Sequence, residues 1–204
     1  MDHAPNADKP LYLIALMPPE PLRSRLRKMQ GEFRAQVGGE KVLLFPPHIT
    51  LSAPFQCEQT VEFMERLLAI VPGRESFLVD LTRLERFPHH PTLYYAIDKT
   101  DAIQKLHEDT LAVVKDFRVR DFTSYYRKAK GHAGLLLRVY GSEYVLDRFS
   151  PHLSLTRHDS DRDKFVSFWE EGVSADPESF IAEDIVILKQ GTDGHWIEFE
   201  RIKF

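Results

Sequence analysis

The feature that most restricts the fold is a repeat. The stretch "FPPHITL" at Phe45–Leu51 returns as "FSPHLSL" at Phe149–Leu155, with aromatic, proline, histidine, apolar, hydroxyl and leucine in the same order. Two further anchors keep that spacing to within one residue: "ESF" at Glu75 and again at Glu178, and "LYYAID" at Leu93 against "WIEFER" at Trp196. Matches at a common offset point to a duplicated unit, and one this long is not a solenoid repeat. The expectation is a single bilobal domain over 1–204, with a first repeat at about 43–98, a second at about 147–201 and an intervening segment at 117–144. An approximate two-fold axis would bring the equivalent strands, and both histidines, to one central cleft.

Local patterns fill in the elements. "LYLIALMP" (Leu11 to Pro18) has the length and apolar continuity of a central strand, stopped by prolines. Leu22, Leu26, Met29, Phe33 and Val37 recur every three to four residues and predict a helix that Gly38-Gly39 ends. A second helix is expected with Val61, Met64, Leu68 and Val71 on one face, closed by Pro72-Gly73. "SFLVDLTRLERF" and "TLYYAID" read as two strands joined by the turn "PHHP". Ile103, Leu106, Leu111 and Val114 mark a short helix, and "DKFVSFWEE" a helix of the second copy. Between the copies, "GLLLRVY" reads as a strand, and part of 117–144 as a loop near the cleft.

Composition narrows the function classes. The first ten residues lack a basic start and an apolar core, and no run approaches the roughly 18 apolar residues of a membrane helix, so a cytoplasmic protein without a membrane partner is expected. The single cysteine, Cys57, excludes an internal disulfide framework and any multi-cysteine metal site. A net charge of -4 is unsuited to gripping a long nucleic-acid backbone, although a terminal or small phosphate remains open. A monomer is the default.

On a strand, residues i and i+2 face the same way. His48 then shares a face with Thr50 and His152 with Ser154, while Ile49, Leu51, Leu153 and Leu155 anchor the other face. Two imidazoles suit phosphodiester cleavage: one takes a proton from the attacking hydroxyl or water while the other protonates the departing oxygen. The hydroxyls of Thr50 and Ser154 can donate to non-bridging phosphate oxygens, and Arg157 can add a charge-assisted contact. Zinc is the chemical competitor, but it takes three or four protein ligands and neither motif supplies a second at i+2. There is no Gly-x-Ser-x-Gly elbow and no glycine-rich phosphate loop. His3, His89, His90, His107 and His195 read as surface residues, and His158 as a possible member of the cleft edge. Tyr125, Tyr126, Arg127, Lys128 and Lys130 form an aromatic and basic cluster suited to stacking a base and holding phosphates, or to a solvated loop over a core.

The paired "HITL" and "HLSL" motifs on duplicated halves resemble the 2H phosphoesterase superfamily, which includes the 2′-5′ RNA ligases and RNA 2′,3′-cyclic phosphodiesterases. The resemblance extends to the opening strand "LYLIALMPPE" and to Arg157 after the second motif. It implies an α+β bilobal fold, two antiparallel β-sheets flanked by helices around a central cleft. It also implies a mechanism without metal or cofactor, with His48 and His152 catalytic and Thr50, Ser154 and Arg157 on the phosphate. For hydrolysis it favours His48 as acid and His152 as base. The implied substrate is an RNA or oligonucleotide end bearing a 2′,3′-cyclic phosphate, with reversible 2′-5′ RNA ligation as a second reaction. A non-catalytic binder of RNA ends or nucleotides, and a hydrolase of small cyclic nucleotides, are the alternatives. Two departures bear on substrate: "SAP" delays Phe55 after the first motif, and 117–144 is longer than the linker of compact members.

Overall fold

The computed structural model describes residues 10–89, 91–119, 130–157 and 159–204. At its centre lies β1 (Leu11–Leu16), every residue of which after the first is buried. A strand apolar on both faces must be covered on both faces. Tyr12, Ile14 and Leu16 accordingly enter the main core, while Leu13 and Ala15 join a second cluster with Met17, Val186, Leu188 and Trp196.

The remaining strands are β2 (Ile49–Thr50), β3 (Phe55–Gln56), β4 (Phe77–Arg86), β5 (Leu93–Ile97), β6 (His152–Ser154), β7 (Glu178–Ala182), β8 (Asp184–Gln190) and β9 (Trp196–Lys203). Their order is β7-β4-β5-β6-β2-β1-β8-β9, with β3 paired to β1. Each of these pairings is antiparallel. Where two sheets were expected, the contact of β2 with β6 at Ile49↔Leu153 joins both lobes into one nine-stranded sheet. That contact lies on the pseudo-two-fold axis.

Reflection of the strand order about the β2/β6 contact makes β1 equivalent to β5, β8 to β4 and β9 to β7. Backbone bonding agrees. The N–H groups of Leu51 and Ser52 donate to the Ile14 carbonyl, and those of Leu155 and Thr156 to the Leu93 carbonyl. Strand 93–97 therefore corresponds in the sheet to 11–16, not to 196–203 as the constant offset suggested. The offset holds for the two histidine motifs but misassigns the flanking strands, because the stretch between the opening strand and the motif is much longer in the second copy.

The helices are α1 (Leu22–Val37), α2 (Thr60–Ile70), α3 (Asp101–Phe117), α4 (Gly131–Tyr140) and α5 (Arg162–Glu170). Thr100 caps α3 by accepting from the Ile103 N–H, and Asp161 caps α5 by accepting from Asp163 and Lys164 N–H. Apolar side chains of α1, α2, α3 and α5 pack on the sheet face that carries Ile49, Leu51, Leu153 and Leu155. The histidine face is thus the one these helices leave alone.

Three expectations fail here. In α2 the buried stripe is Phe63 and Leu67, continued by Val71, while Val61 and Leu68 are 68% and 54% exposed. Two apolar stripes with helical spacing compete in that sequence, and the one with the phenylalanine buries more surface. "GLLLRVY" is helical within α4, since Leu and Arg are good helix formers and a short apolar run does not settle strand against helix. His107 is 1% exposed rather than on the surface.

Candidate active site

The register of the central pair builds the site. With Ile49 opposite Leu153, one step in each direction sets His48 across from Ser154 and Thr50 across from His152. All four point away from the core face that takes Ile49 and Leu153, which are fully buried, and all four are half-buried. Each imidazole lies beside the other motif's hydroxyl, and the two histidines are diagonal neighbours, a relation that in antiparallel sheets spans about 7–8 Å between Cα atoms.

Both rings are anchored alike. His48 Nδ1 is 2.8 Å from the Pro46 carbonyl oxygen and His152 Nδ1 is 2.9 Å from that of Ser150. A carbonyl can only accept, so Nδ1 carries the hydrogen and Nε2 is left for chemistry. In each motif a proline precedes the histidine and holds the residue before it extended, the residue whose carbonyl receives the ring N–H. The proline in "PPHIT" and "SPHLS" thus has a local role.

A second hydroxyl locks each motif to its neighbouring strand. Ile14 N–H donates to Ser52 Oγ at 3.1 Å, and Leu93 N–H to Thr156 Oγ1 at 2.8 Å. Sequence reasoning missed both, although each directly follows the motif leucine. It also missed two helix residues: Arg27 donates to the carbonyls of Phe45 and Leu43, and the buried Gln30 donates to that of Ser154 at 3.0 Å. A glutamine on an otherwise apolar helix stripe was the available signal.

The surroundings of the two rings differ. Phe45 stacks on His48 with centroids 5.4 Å apart, Trp196 stacks on Phe45, and the Arg157 guanidinium lies 4.8 Å from the Phe45 ring centroid. His152 instead meets Phe87 and Tyr94 edge to face, at 5.2 and 5.3 Å. Tyr94 donates to Glu85 at 3.0 Å, and burial together with that carboxylate pushes its phenol up to about 12.

Burial pushes His48 down to about 4; the Pro46 carbonyl opposes this, and Arg157 and His152 add to it. Burial also lowers His152, with the Ser150 carbonyl opposing and Arg157 reinforcing, and it lowers Arg157 itself. Arg157 lies over the Phe45 ring that stacks on His48, and its positive charge opposes protonation of both imidazoles. Three cationic or potentially cationic groups share a partly dry surface, an arrangement that an anion relieves. Among the described residues no group of three His, Cys, Asp or Glu could hold a metal ion.

Of the other sequence candidates, Lys130 is exposed at the start of α4, and no contact among the described residues ties it to the histidines. Tyr125, Tyr126, Arg127, Lys128 and His158 lie outside the described residues. His89 and His195 are exposed, and no described helix is long and apolar enough to cross a membrane.

A duplicated antiparallel sheet with paired histidines at its axis defines the class. The chain belongs to the 2′-5′ RNA ligase superfamily, whose family model matches residues 18–194, within the wider 2H phosphoesterases. It is 28% identical over 100 residues to "Putative phosphoesterase BH1439" of Halalkalibacterium halodurans, covering 48% of this chain and 56% of that protein. "Putative phosphoesterase GK0864" of Geobacillus kaustophilus is 27% identical over 100 residues, covering 48% and 55%. The match spans about half the length of each relative. Among solved structures, TT0787 of Thermus thermophilus superposes with a TM-score of 0.59 at 15% identity, covering 95% of this chain and 97% of that one. E. coli LigT complexed with 3′-AMP gives 0.56 at 11% identity, covering 97% and 99%. These likenesses are of fold.

Proposed function

We propose that the chain is a metal-independent phosphodiesterase that opens 2′,3′-cyclic phosphates on RNA or oligonucleotide ends to 2′-phosphomonoesters. The observation that carries this reading is the β2/β6 register, which sets two similarly anchored imidazoles on one face, each beside a hydroxyl. Nucleotide and phosphate complexes of E. coli LigT, with 3′-AMP, ATP, NADP+ and phosphate, support a nucleotide end as the ligand of this fold.

In hydrolysis, neutral His152 takes a proton at Nε2 from water as the water oxygen bonds to phosphorus. His48, protonated, gives its Nε2 proton to O3′ as the P–O3′ bond breaks. The products are a 2′-phosphate and a free 3′-hydroxyl, and the net proton balance of the protein is zero. Thr50, Ser154 and Arg157 donate to the non-bridging oxygens, where negative charge concentrates. The phosphate anion also favours the charged form of both imidazoles and so opposes the burial that depresses them. A polynucleotide 5′-hydroxyl in place of water gives a 2′-5′ linkage by the same steps.

The test is hydrolysis of 2′,3′-cyclic AMP and of a short RNA ending in a 2′,3′-cyclic phosphate, in EDTA, by wild type, His48→Ala and His152→Ala. Chelator-resistant release of 2′-phosphate that vanishes in both variants supports the proposal. Binding of the RNA end without turnover in the folded wild type supports a non-catalytic binder instead.

A further inference from the structure

We propose that His107 is a positioning residue that sets the second histidine against the first. The inference rests on the two-imidazole reading. His107 lies on α3, away from the histidine face, yet its ring contacts both motifs. Its Nδ1–H donates to the Leu51 carbonyl, 2.7 Å away at the end of the first motif. Its Nε2 accepts from the Leu146 N–H at 3.0 Å, just ahead of the second motif. The ring also stacks on Phe149 with centroids 3.7 Å apart and planes 3° from parallel, and Phe149 directly precedes Ser150, whose carbonyl anchors His152.

The segment held this way is strained. Leu146 has φ of 57°, the positive-φ non-glycine conformation of the described chain. Such backbone costs on the order of 1–3 kcal/mol and persists only when its surroundings enforce it. Here they do so from both sides: His107 receives the Leu146 N–H, while Gln104 donates to the Leu146 carbonyl at 3.1 Å.

The other half has a counterpart. Arg27 and Gln30 on α1 stand at the same i, i+3 spacing as Gln104 and His107 on α3. Arg27 holds the approach to the first motif through the Phe45 carbonyl, and Gln30 reaches across to the Ser154 carbonyl of the second. Each helix therefore grips the loop ahead of one motif with one side chain and the strand of the other motif with the next. A ring that bonds one motif and stacks against the loop of the other fixes their relative placement in a way that a surface histidine would not.

The experiment compares His107→Phe, which keeps the stack on Phe149 but neither hydrogen bond, with His107→Gln, which installs the side chain used by the other half and retains a donor and an acceptor. Both are assayed on 2′,3′-cyclic AMP at matched folded fractions, with His152 followed by imidazole NMR. In His107→Phe the expected result is a fall in kcat of about 10- to 100-fold, the cost of a small misplacement of a reacting group. KM should stay within about twofold, and the His152 resonances and titration should shift. His107→Gln should recover most of the kcat. If His107→Phe does not fold, Gln104→Ala, which removes the amide donor to the Leu146 carbonyl together with its contact to Glu108 and leaves both His107 hydrogen bonds in place, serves instead and should show the same pattern in weaker form. Wild-type kcat with an unmoved His152 signal in a folded variant overturns the inference. Should the wild type itself not turn over, the phosphodiesterase reading fails, and the His152 resonances of His107→Phe still decide the positioning role.

Discussion

The two halves of the site share a skeleton and differ in their walls. In both, a ring N–H bonds the carbonyl two residues back, and the second hydroxyl accepts from the adjoining strand. Around His48 the aromatic of the motif, Phe45, lies on its own histidine and carries Arg157. Around His152 the equivalent Phe149 has turned away onto His107, and Phe87 and Tyr94 take its place. What the halves hold in common is the presentation of Nε2. What separates them is the set of side chains around each ring, and under the proposed acid-base mechanism those walls are what would give two chemically identical side chains different duties.

The severest way to break the comparison is to remove one imidazole. His48→Ala or His152→Ala should each lower kcat by about 10²- to 10⁴-fold, with the double variant far from additive, as steady-state hydrolysis of the cyclic substrate will show. Unequal losses would sharpen the contrast between the walls, and an unaffected variant would remove its histidine from the chemistry.

A second test uses the one titrating member of the helix clamps. Burial, the largest cause, holds His107 down to about 4, with the Leu51 carbonyl and Glu108 opposing and Lys99 reinforcing. Between about pH 6.5 and 4 the unfolded chain therefore binds a proton that the folded chain refuses, and stability falls as pH falls. The full loss is on the order of 3 kcal/mol and is complete near pH 4. Denaturant melts across this range should show the slope, and His107→Gln, which makes the halves alike at this point, should reduce it by the His107 share and leave the part due to His48 and His152.

Smaller effects come from single contacts. Arg157→Lys keeps the charge but loses the planar stack on Phe45 and the fork of donors, and should lower kcat/KM by about 10- to 100-fold, in line with a lost hydrogen bond to a charged group. Thr156→Val strands the buried Leu93 N–H and should cost about 1–3 kcal/mol in urea melts, with Ser52→Ala costing a similar amount through Ile14. A large disparity between these last two would show that the common skeleton is not equally strained in the two lobes.

Much of this was legible in the sequence. Continuous apolar β1, the stripe of α1, the paired strands β4 and β5 and both motif strands follow from period and punctuation alone. Alternation in a strand was enough to put His48 with Thr50 and His152 with Ser154. What escaped is nonlocal. Only the sheet shows that strand 93–97 matches 11–16 across the axis, since chain distance and sheet position diverge where an insertion intervenes. His107 looked like one more helix histidine because its partners, Leu51, Leu146 and Phe149, lie far along the chain. The wrong stripe in α2 and the helical "GLLLRVY" share another cause: apolar spacing admits two solutions when tertiary burial makes the choice.

The most direct test of the central claim is the pH dependence of kcat for 2′,3′-cyclic AMP hydrolysis in EDTA, measured for wild type, His48→Ala and His152→Ala. Paired acid and base predict a bell for the wild type, with each variant's residual rate losing one limb and the two variants losing opposite limbs. A wild-type rate flat in pH, or a bell that survives intact in either variant, would contradict it.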